Sequence, residues 1–194
     1  METLVVYAHP KTPGHNATIL GNVKKKLEAL DKDYEVLDLY EMKYDPVLHE
    51  KEHYTAGNRN VSDQNKKIQN KIKDATHLIF IYPLWWDSMP AILKGFFDRV
   101  FVSGFSFNFG PHGIPIQHLK GKRAVTFVTQ GGPALYYNCI LKNRGPKIVA
   151  KDTLAFCGIK TKFYTISQAA KALDEKKKKT IRKKVRKGIA WLYR

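Results

Sequence analysis

Two adjacent tryptophans stand between two prolines at the end of an apolar run, in Pro83-Leu84-Trp85-Trp86-Asp87-Ser88-Met89-Pro90. Proline restricts its own backbone and that of the residue before it, so the peptide groups between the two are predicted to hold one conformation. A pre-set backbone can place N–H groups along the edge of a heteroaromatic ring. Trp85 and Trp86 add flat faces at low conformational cost, suited to covering an isoalloxazine, a nicotinamide or a quinone. Indoles that merely seal the core are the competing reading, although neighbouring loop side chains seldom face the same interior.

Two other loops carry compatible chemistry. His9-Pro10-Lys11-Thr12-Pro13-Gly14-His15-Asn16 leads from an apolar run into a helical pattern. Its first-turn N–H groups and positive dipole end suit a phosphate, with His9 and Asn16 as side-chain donors and Lys11 nearby for charge. A simple helix-capping role would also explain Asn16. The loop lacks both G-x-G-x-x-G and the Walker pattern, so it makes no claim to a dinucleotide or nucleoside triphosphate fingerprint. Thr129-Gln130-Gly131-Gly132-Pro133 places two glycines where a backbone can approach a flat ligand. A Gly-Gly pair alone is first of all a turn signal.

These loops need strands to deliver them and helices to receive them. Apolar runs predict strands over residues 3–8, 34–39, 77–82, 124–129 and 160–166. Helical spacing predicts helices over 17–30, 63–74 and 90–101, a broken helical region over about 135–156, and a closing basic helix. Alternation of this kind specifies an α/β fold with a parallel sheet and helices on both faces. The expected architecture is a single domain over residues 1–194, a flavodoxin-like three-layer sandwich whose five-stranded parallel sheet runs in the order 2-1-3-4-5. Its switch point between the first and third strands is where flavin mononucleotide binds in that fold.

The 194 residues suffice for one such domain, which would bury roughly 70% of the surface of its unfolded chain. No apolar run approaches the ~20 residues that span a bilayer, and the chain enters its first strand without a charged leader, so a cytoplasmic location is expected. Cys139 and Cys157 are too few and too far apart for a disulfide framework or a zinc site, and buried reduced thiols are expected. Net charge is +17, from 34 Lys and Arg against 17 Asp and Glu. Much of it lies in 171–187, around Ile181, Val185, Ile189 and Leu192 at spacings of four, four and three. That pattern reads as an amphipathic helix with its lysines in water, and secondarily as weak contact with an anionic surface. No nucleic-acid motif accompanies the charge, so no nucleic-acid partner is expected.

His49-Glu50-Lys51-Glu52-His53 satisfies the H-E-x-x-H zinc pattern. Its flanks, Asp45-Pro46 and 54–58, leave little room for the long helix that pattern requires, and no third ligand follows. A metal site is not expected.

Taken together, Tyr7-Ala8-His9-Pro10, Asp38-Leu39-Tyr40, Pro83-Leu84-Trp85-Trp86, the run from Pro90 to Phe101, Gly131-Gly132 and Phe156-Cys157-Gly158 resemble the NAD(P)H:quinone oxidoreductases of the flavodoxin-like fold, the DT-diaphorase group and its bacterial relatives. The resemblance implies a flavin, FMN or FAD, with NAD(P)H as co-substrate and a quinone-like acceptor. It places His9, His15 and Asn16 along the phosphate and ribityl tail. Pro83, Leu84, Trp85, Trp86 and Asp87 fall along one side of the ring, with Thr129, Gln130, Gly131, Gly132 and Tyr137 on its pyrimidine side. Family members work as homodimers in which the partner's aromatic residues complete the substrate pocket, and Phe107 and Phe109 match that segment. Trp86, Tyr137 and Asn143 occupy the reactive positions. Asn143 stands where mammalian members have a histidine, and an amide cannot take up a proton near neutral pH. The shorter segment between Tyr44 and Gln69 removes residues that longer relatives offer the partner's adenine, which leaves FMN as open as FAD. Some bacterial relatives instead serve as ancillary subunits of membrane transport systems, and a flavin-binding protein of that kind is the competing reading.

Overall fold

The computed structural model describes residues 1–10, 13–53 and 60–194. Lys11, and the 54–58 flank of the zinc-like motif, lie outside the described residues. Five strands form the central sheet: β1 (Thr3–Tyr7), β2 (Tyr34–Asp38), β3 (His77–Pro83), β6 (Arg123–Thr129) and β7 (Lys160–Ile166). Their order is β2-β1-β3-β6-β7, and all four pairings are parallel. The sequence reading numbered the last two sheet strands fourth and fifth. Two strands intervene: β4 (Phe107–Phe109) and β5 (Pro115–Gln117) pair antiparallel outside the sheet. At three residues each they carry too little alternation to read as strands.

β1 and β3 are apolar at successive positions because both faces of the sheet are covered. Side chains alternate between two cores. Val5, Tyr7, Ile79, Ile81, Val125 and Phe127 meet α1 (His15–Glu28) and α5 (Glu175–Leu192), whose Ile181, Val185, Ile189 and Leu192 are all buried. Leu4, Val6, Leu78, Phe80, Tyr82 and Val128 meet α2 (Asp63–Asp74) and α3 (Ala91–Val100). The close seat of α3 depends on Gly95, where an added Cβ would lie 2.1 Å from the Pro46 carbonyl oxygen.

Residues 135–156 are broken, as the sequence suggests. A π-turn at Tyr136–Ile140 is followed by the short α4 (Arg144–Lys147) and a second π-stretch at Ile148–Ala155. The break falls at Lys142 and Asn143, which take the left-handed conformation at φ 51° and 52°. Among the described residues no helix is long and apolar enough to cross a membrane. Cys157 is buried, but Cys139 is exposed, contrary to expectation, because the π-turn that carries it rides on the surface.

The zinc-like segment forms only a short 3-10 turn at Glu50–Glu52. Two other groups occupy its side chains: Glu52 pairs with the buried Arg99 at 2.9 Å, and His49 Nε2 lies 2.6 Å from Asp45. Among the described residues no cluster of three or more His, Cys, Asp or Glu is arranged to hold a metal.

Candidate functional site

The helices that follow β1 and β3 depart to opposite faces of the sheet, α1 to one core and α3 to the other. Divergence at neighbouring strands opens a crevice beyond their carboxyl ends. A cavity of about 370 Å³ occupies it. His9, His15 and Asn16 line it from the first loop, Pro83, Leu84 and Trp85 from the second, and Thr129, Gln130 and Gly131 from the third.

α1 begins at His15, two residues earlier than the sequence suggests, because Gly14 serves as its N-cap. Gly14 has no side chain to cap that end, and no acidic residue enters the helix's first turn. Asn16 is therefore not a cap. It lies inside the helix, buried, and its Nδ2 donates to Thr129 Oγ1 at 2.9 Å. This bond ties the start of α1 to the end of β6 across the crevice floor.

Among the described residues, three buried polar atoms here have no hydrogen-bond partner: His15 Nε2, Asn16 Oδ1 and Gln130 Oε1. Buried polar groups are almost always satisfied, so orphans on three residues that line one cavity are consistent with a polar ligand there. The set fits a phosphorylated polyol. A positive helix end and a histidine face the phosphate position, with amide oxygens to accept from hydroxyls.

Burial and the nearby Lys177 ammonium lower the pKa of His15, with Asp174 opposing. Burial likewise lowers that of His77 at the sheet's opposite end. A histidine that prefers to be neutral in the fold takes its proton first in the unfolded chain. The stability it contributes is complete above the unfolded value of about 6.5 and is lost as pH falls through the lower folded value. The ligand-free protein should therefore melt at lower temperature as pH drops from about 7 to about 5.5, and His77→Gln should flatten that slope. Calorimetry across this range checks both.

The tryptophan loop is held differently from the way its prolines imply. Trp85 and Ser88 exchange two backbone hydrogen bonds of 3.0 Å, closing a two-residue turn. Trp86 and Asp87 inside it both have φ of 54°, the left-handed pair of a type I′ turn. Such turns favour Asn-Gly, so Trp-Asp gives no sequence signal for one. Bulky residues in this region cost about 1–2 kcal/mol each. The Trp86 side chain is fully exposed and Trp85 is 43% exposed, so neither indole seals the core. Trp86→Gly should relieve the strain, offset in part by unfolded-state entropy, and raise Tm by about 1–4 °C. A fall in Tm would show that the turn carries no strain.

Asp87 is anchored from the broken segment. Its Oδ2 lies 3.7 Å from Arg144 Nε, and its buried Oδ1 has no hydrogen-bond partner among the described residues. Gly145 makes this approach possible, since an added Cβ would stand 2.5 Å from the Asp87 carbonyl oxygen. Tyr137 covers Gly132, where a Cβ would meet its ring at 3.2 Å. The Asn143 backbone N–H donates to Tyr137 O at 2.8 Å, and its side-chain Nδ2 to Asn138 Oδ1 at 3.0 Å.

Trp86, Asp87, Gly132, Tyr137 and Asn143 thus form or brace the rim and do not line the cavity itself. Phe107 and Phe109 lie farther off. They border a second cavity of about 570 Å³ with Phe97, Arg99 and Phe156, outside the crevice of their own chain.

One wall had no sequence signal. Ala169 and Ala170, after β7, close the crevice. Their segment is fixed by backbone bonds, Gln168 N–H to Gly132 O and Ala169 N–H to Gln130 O, at 2.9 and 3.0 Å. Gln130 Nε2 also donates to Ser167 Oγ. Alanines held by main-chain bonds show no chemistry in a sequence.

The model of the flavodoxin-like fold family matches residues 1–189. The human ribosyldihydronicotinamide dehydrogenase [quinone] is 30% identical over 199 residues, covering 92% of this chain and 86% of its own. The crystal structure of Smu.1420 from Streptococcus mutans superposes with a TM-score of 0.85 at 33% identity, over 97% of this chain and 98% of that one. An FMN-dependent NADH-azoreductase from Bacillus anthracis, solved with FMN, superposes at 0.82 with 18% identity, over 98% of each chain, and shows likeness of fold alone. A family model that spans nearly the whole sequence, over a crevice built at the switch point of a parallel sheet, leaves one conclusion: this chain belongs to the flavodoxin-like fold family.

Proposed function

We propose that this protein is a flavin-dependent NAD(P)H dehydrogenase that reduces a quinone or similar two-electron acceptor. The observation that carries the reading is a set of three buried polar atoms without partners among the described residues, His15 Nε2, Asn16 Oδ1 and Gln130 Oε1, on residues that line the crevice. The human relative, named ribosyldihydronicotinamide dehydrogenase [quinone], supports it. Bound flavin would accept a hydride from the nicotinamide and return it to the acceptor.

The chain's own residues supply binding, orientation and electrostatics. His15 and the uncapped start of α1 hold the phosphate end, and Asn16 and Gln130 accept from the polyol. Pro83, Leu84, Trp85 and Gly131 border the ring position. Leu84 N–H is already given to Thr129 O and Trp85 N–H to Ser88 O. The amides of Trp86 and Asp87 are therefore the loop's candidates for steadying negative charge on the ring, a narrower set than the sequence offers. Trp86 and Tyr137 flank the acceptor. Asn143 acts through Tyr137 and Asn138, and does not relay protons.

A homodimer completes the site in this reading. Trp86, Leu135, Ile140, Phe109 and Ile114 are large, apolar and at least 63% exposed, an arrangement that marks an interface. The partner's copies of Phe107 and Phe109 would then wall the acceptor space that the chain's own copies do not reach. The protein is expected to work in the cytoplasm.

Purified protein should be yellow, release FMN or FAD identifiable by mass, oxidise NAD(P)H only when a quinone is supplied, and give parallel double-reciprocal lines. Colourless protein that takes up neither flavin would end the proposal.

A further inference from the structure

We infer that the outer face of α5, with the adjoining edge of β7, is an adsorption surface for anionic lipid bilayers. From residue 160 to 194 the chain has thirteen Lys or Arg against Asp174 and Glu175, which accounts for eleven of its seventeen net positive charges. The fold concentrates them on one side. α5 packs on the sheet through Ile181, Val185, Ile189 and Leu192. That leaves Lys176, Lys179, Arg182, Lys183, Arg186 and Lys187 exposed, with Lys160 and Lys162 on the edge strand beside them. Among the described residues those six helix cations have no ion pair, and the one pair on α5 joins Lys178 to Glu175.

The composition of the face selects its partner. Only Glu175, Thr180 and Ala190 interrupt its exposed cations, so it offers no apolar centre of the kind a protein partner buries. Single-stranded nucleic acid needs open aromatic platforms. Trp191 is instead covered by Arg123 and Lys162, at 5.5 and 5.1 Å from its ring, and Tyr164 stacks on Phe127. Seven lysines to two arginines on α5 favour diffuse attraction by mobile point charges over forked recognition of individual phosphates. A bilayer with acidic headgroups asks only for many accessible cations on one side. The apolar stripe of α5 is already spent in the core, so the helix adsorbs without inserting.

This rests on charge placement and stands or falls apart from the flavin reading. The test is co-sedimentation of the flavin-loaded protein with phosphatidylcholine vesicles, with and without about 30% phosphatidylglycerol, at about 0.05 and 0.5 M salt. Binding should require the anionic lipid and disappear at high salt. The combined variant Lys179→Gln, Arg182→Gln, Lys183→Gln, Arg186→Gln and Lys187→Gln should keep its flavin and turnover. At roughly fivefold per side chain, it should lose at least a hundredfold in partition coefficient. The inference is overturned by absence of anionic-vesicle binding at low salt, by a variant within about threefold of the parent, or by tighter capture on duplex DNA or polyglutamate at matched charge.

Discussion

Gly145→Val should yield a protein that folds but loses its flavin during purification. Gly145 lies under the Trp85–Ser88 turn, and its missing Cβ would stand 2.5 Å from Asp87 O, 3.1 Å from Asp87 C and 3.0 Å from Leu84 Cδ2. Two of these atoms are backbone, so the clash cannot be relieved by a rotamer change. A valine must push the turn toward the crevice or drive α4 away. Overpacking of this kind costs about 1–3 kcal/mol, and it falls on two segments that each already hold two left-handed residues, Trp86–Asp87 and Lys142–Asn143. If the Trp85–Ser88 turn holds the flavin ring as proposed, its displacement by an ångström should weaken flavin affinity by about thirtyfold or more. Gly145→Ala should show the same loss in smaller measure. Fluorescence titration of apoprotein measures both, and parent-like affinity in the valine variant would mean that the turn takes no part in holding the ring.

The second large effect belongs to Asn16. Asn16→Leu keeps the branched outline of the side chain, though it is bulkier, and deletes the donor to Thr129 Oγ1, leaving a hydroxyl without that partner at a position 3% exposed. Stability should fall by about 1–3 kcal/mol. Flavin affinity should fall with it, since the tie across the crevice floor and the orphaned Oδ1 go together. A double-mutant cycle separates the two roles. Thr129→Val added to Asn16→Leu replaces both polar partners with apolar shapes, which can be nearly neutral for stability. The double variant should thus recover much of its Tm while its affinity stays low. If affinity returned along with Tm, Asn16 would be a structural tie and nothing more.

The sheet was legible where residues are buried on both faces. Leu78 to Tyr82 is an uninterrupted run of apolar and aromatic residues, and only a central parallel strand or a buried helix accommodates one. The β4–β5 hairpin was not legible, being too short for periodicity and partly fixed by contacts such as Phe107 on Phe156, at 4.9 Å. Within the site, residues that contribute side chains stood out, as His9, His15, Asn16 and Trp85 did. Those that contribute geometry did not. The left-handed pair Trp86–Asp87 has no glycine or asparagine to announce it, and the wall at Ala169 and Ala170 consists of main-chain bonds. The resemblance placed Phe107 and Phe109 at a pocket, yet one chain alone leaves them bordering a different cavity from Trp85.

α1 and α5 share one side of the sheet, and α5 roofs the part formed by Val125 and Phe127, where Gly188 sits against both side chains; Thr3 shares a side-chain hydrogen bond with Tyr193. Strands made early thus wait for the last helix. At about 5–20 residues per second, the ribosome needs roughly 3–12 s to make the segment between β6 and the end of α5. The β6 edge stays unpaired only until β7 is made, but the apolar face that α5 covers stays open to other nascent chains for the whole interval. Chaperone demand should therefore peak late in translation, and a stall between Ile166 and Glu175 should be more prone to aggregate than one at Asp74.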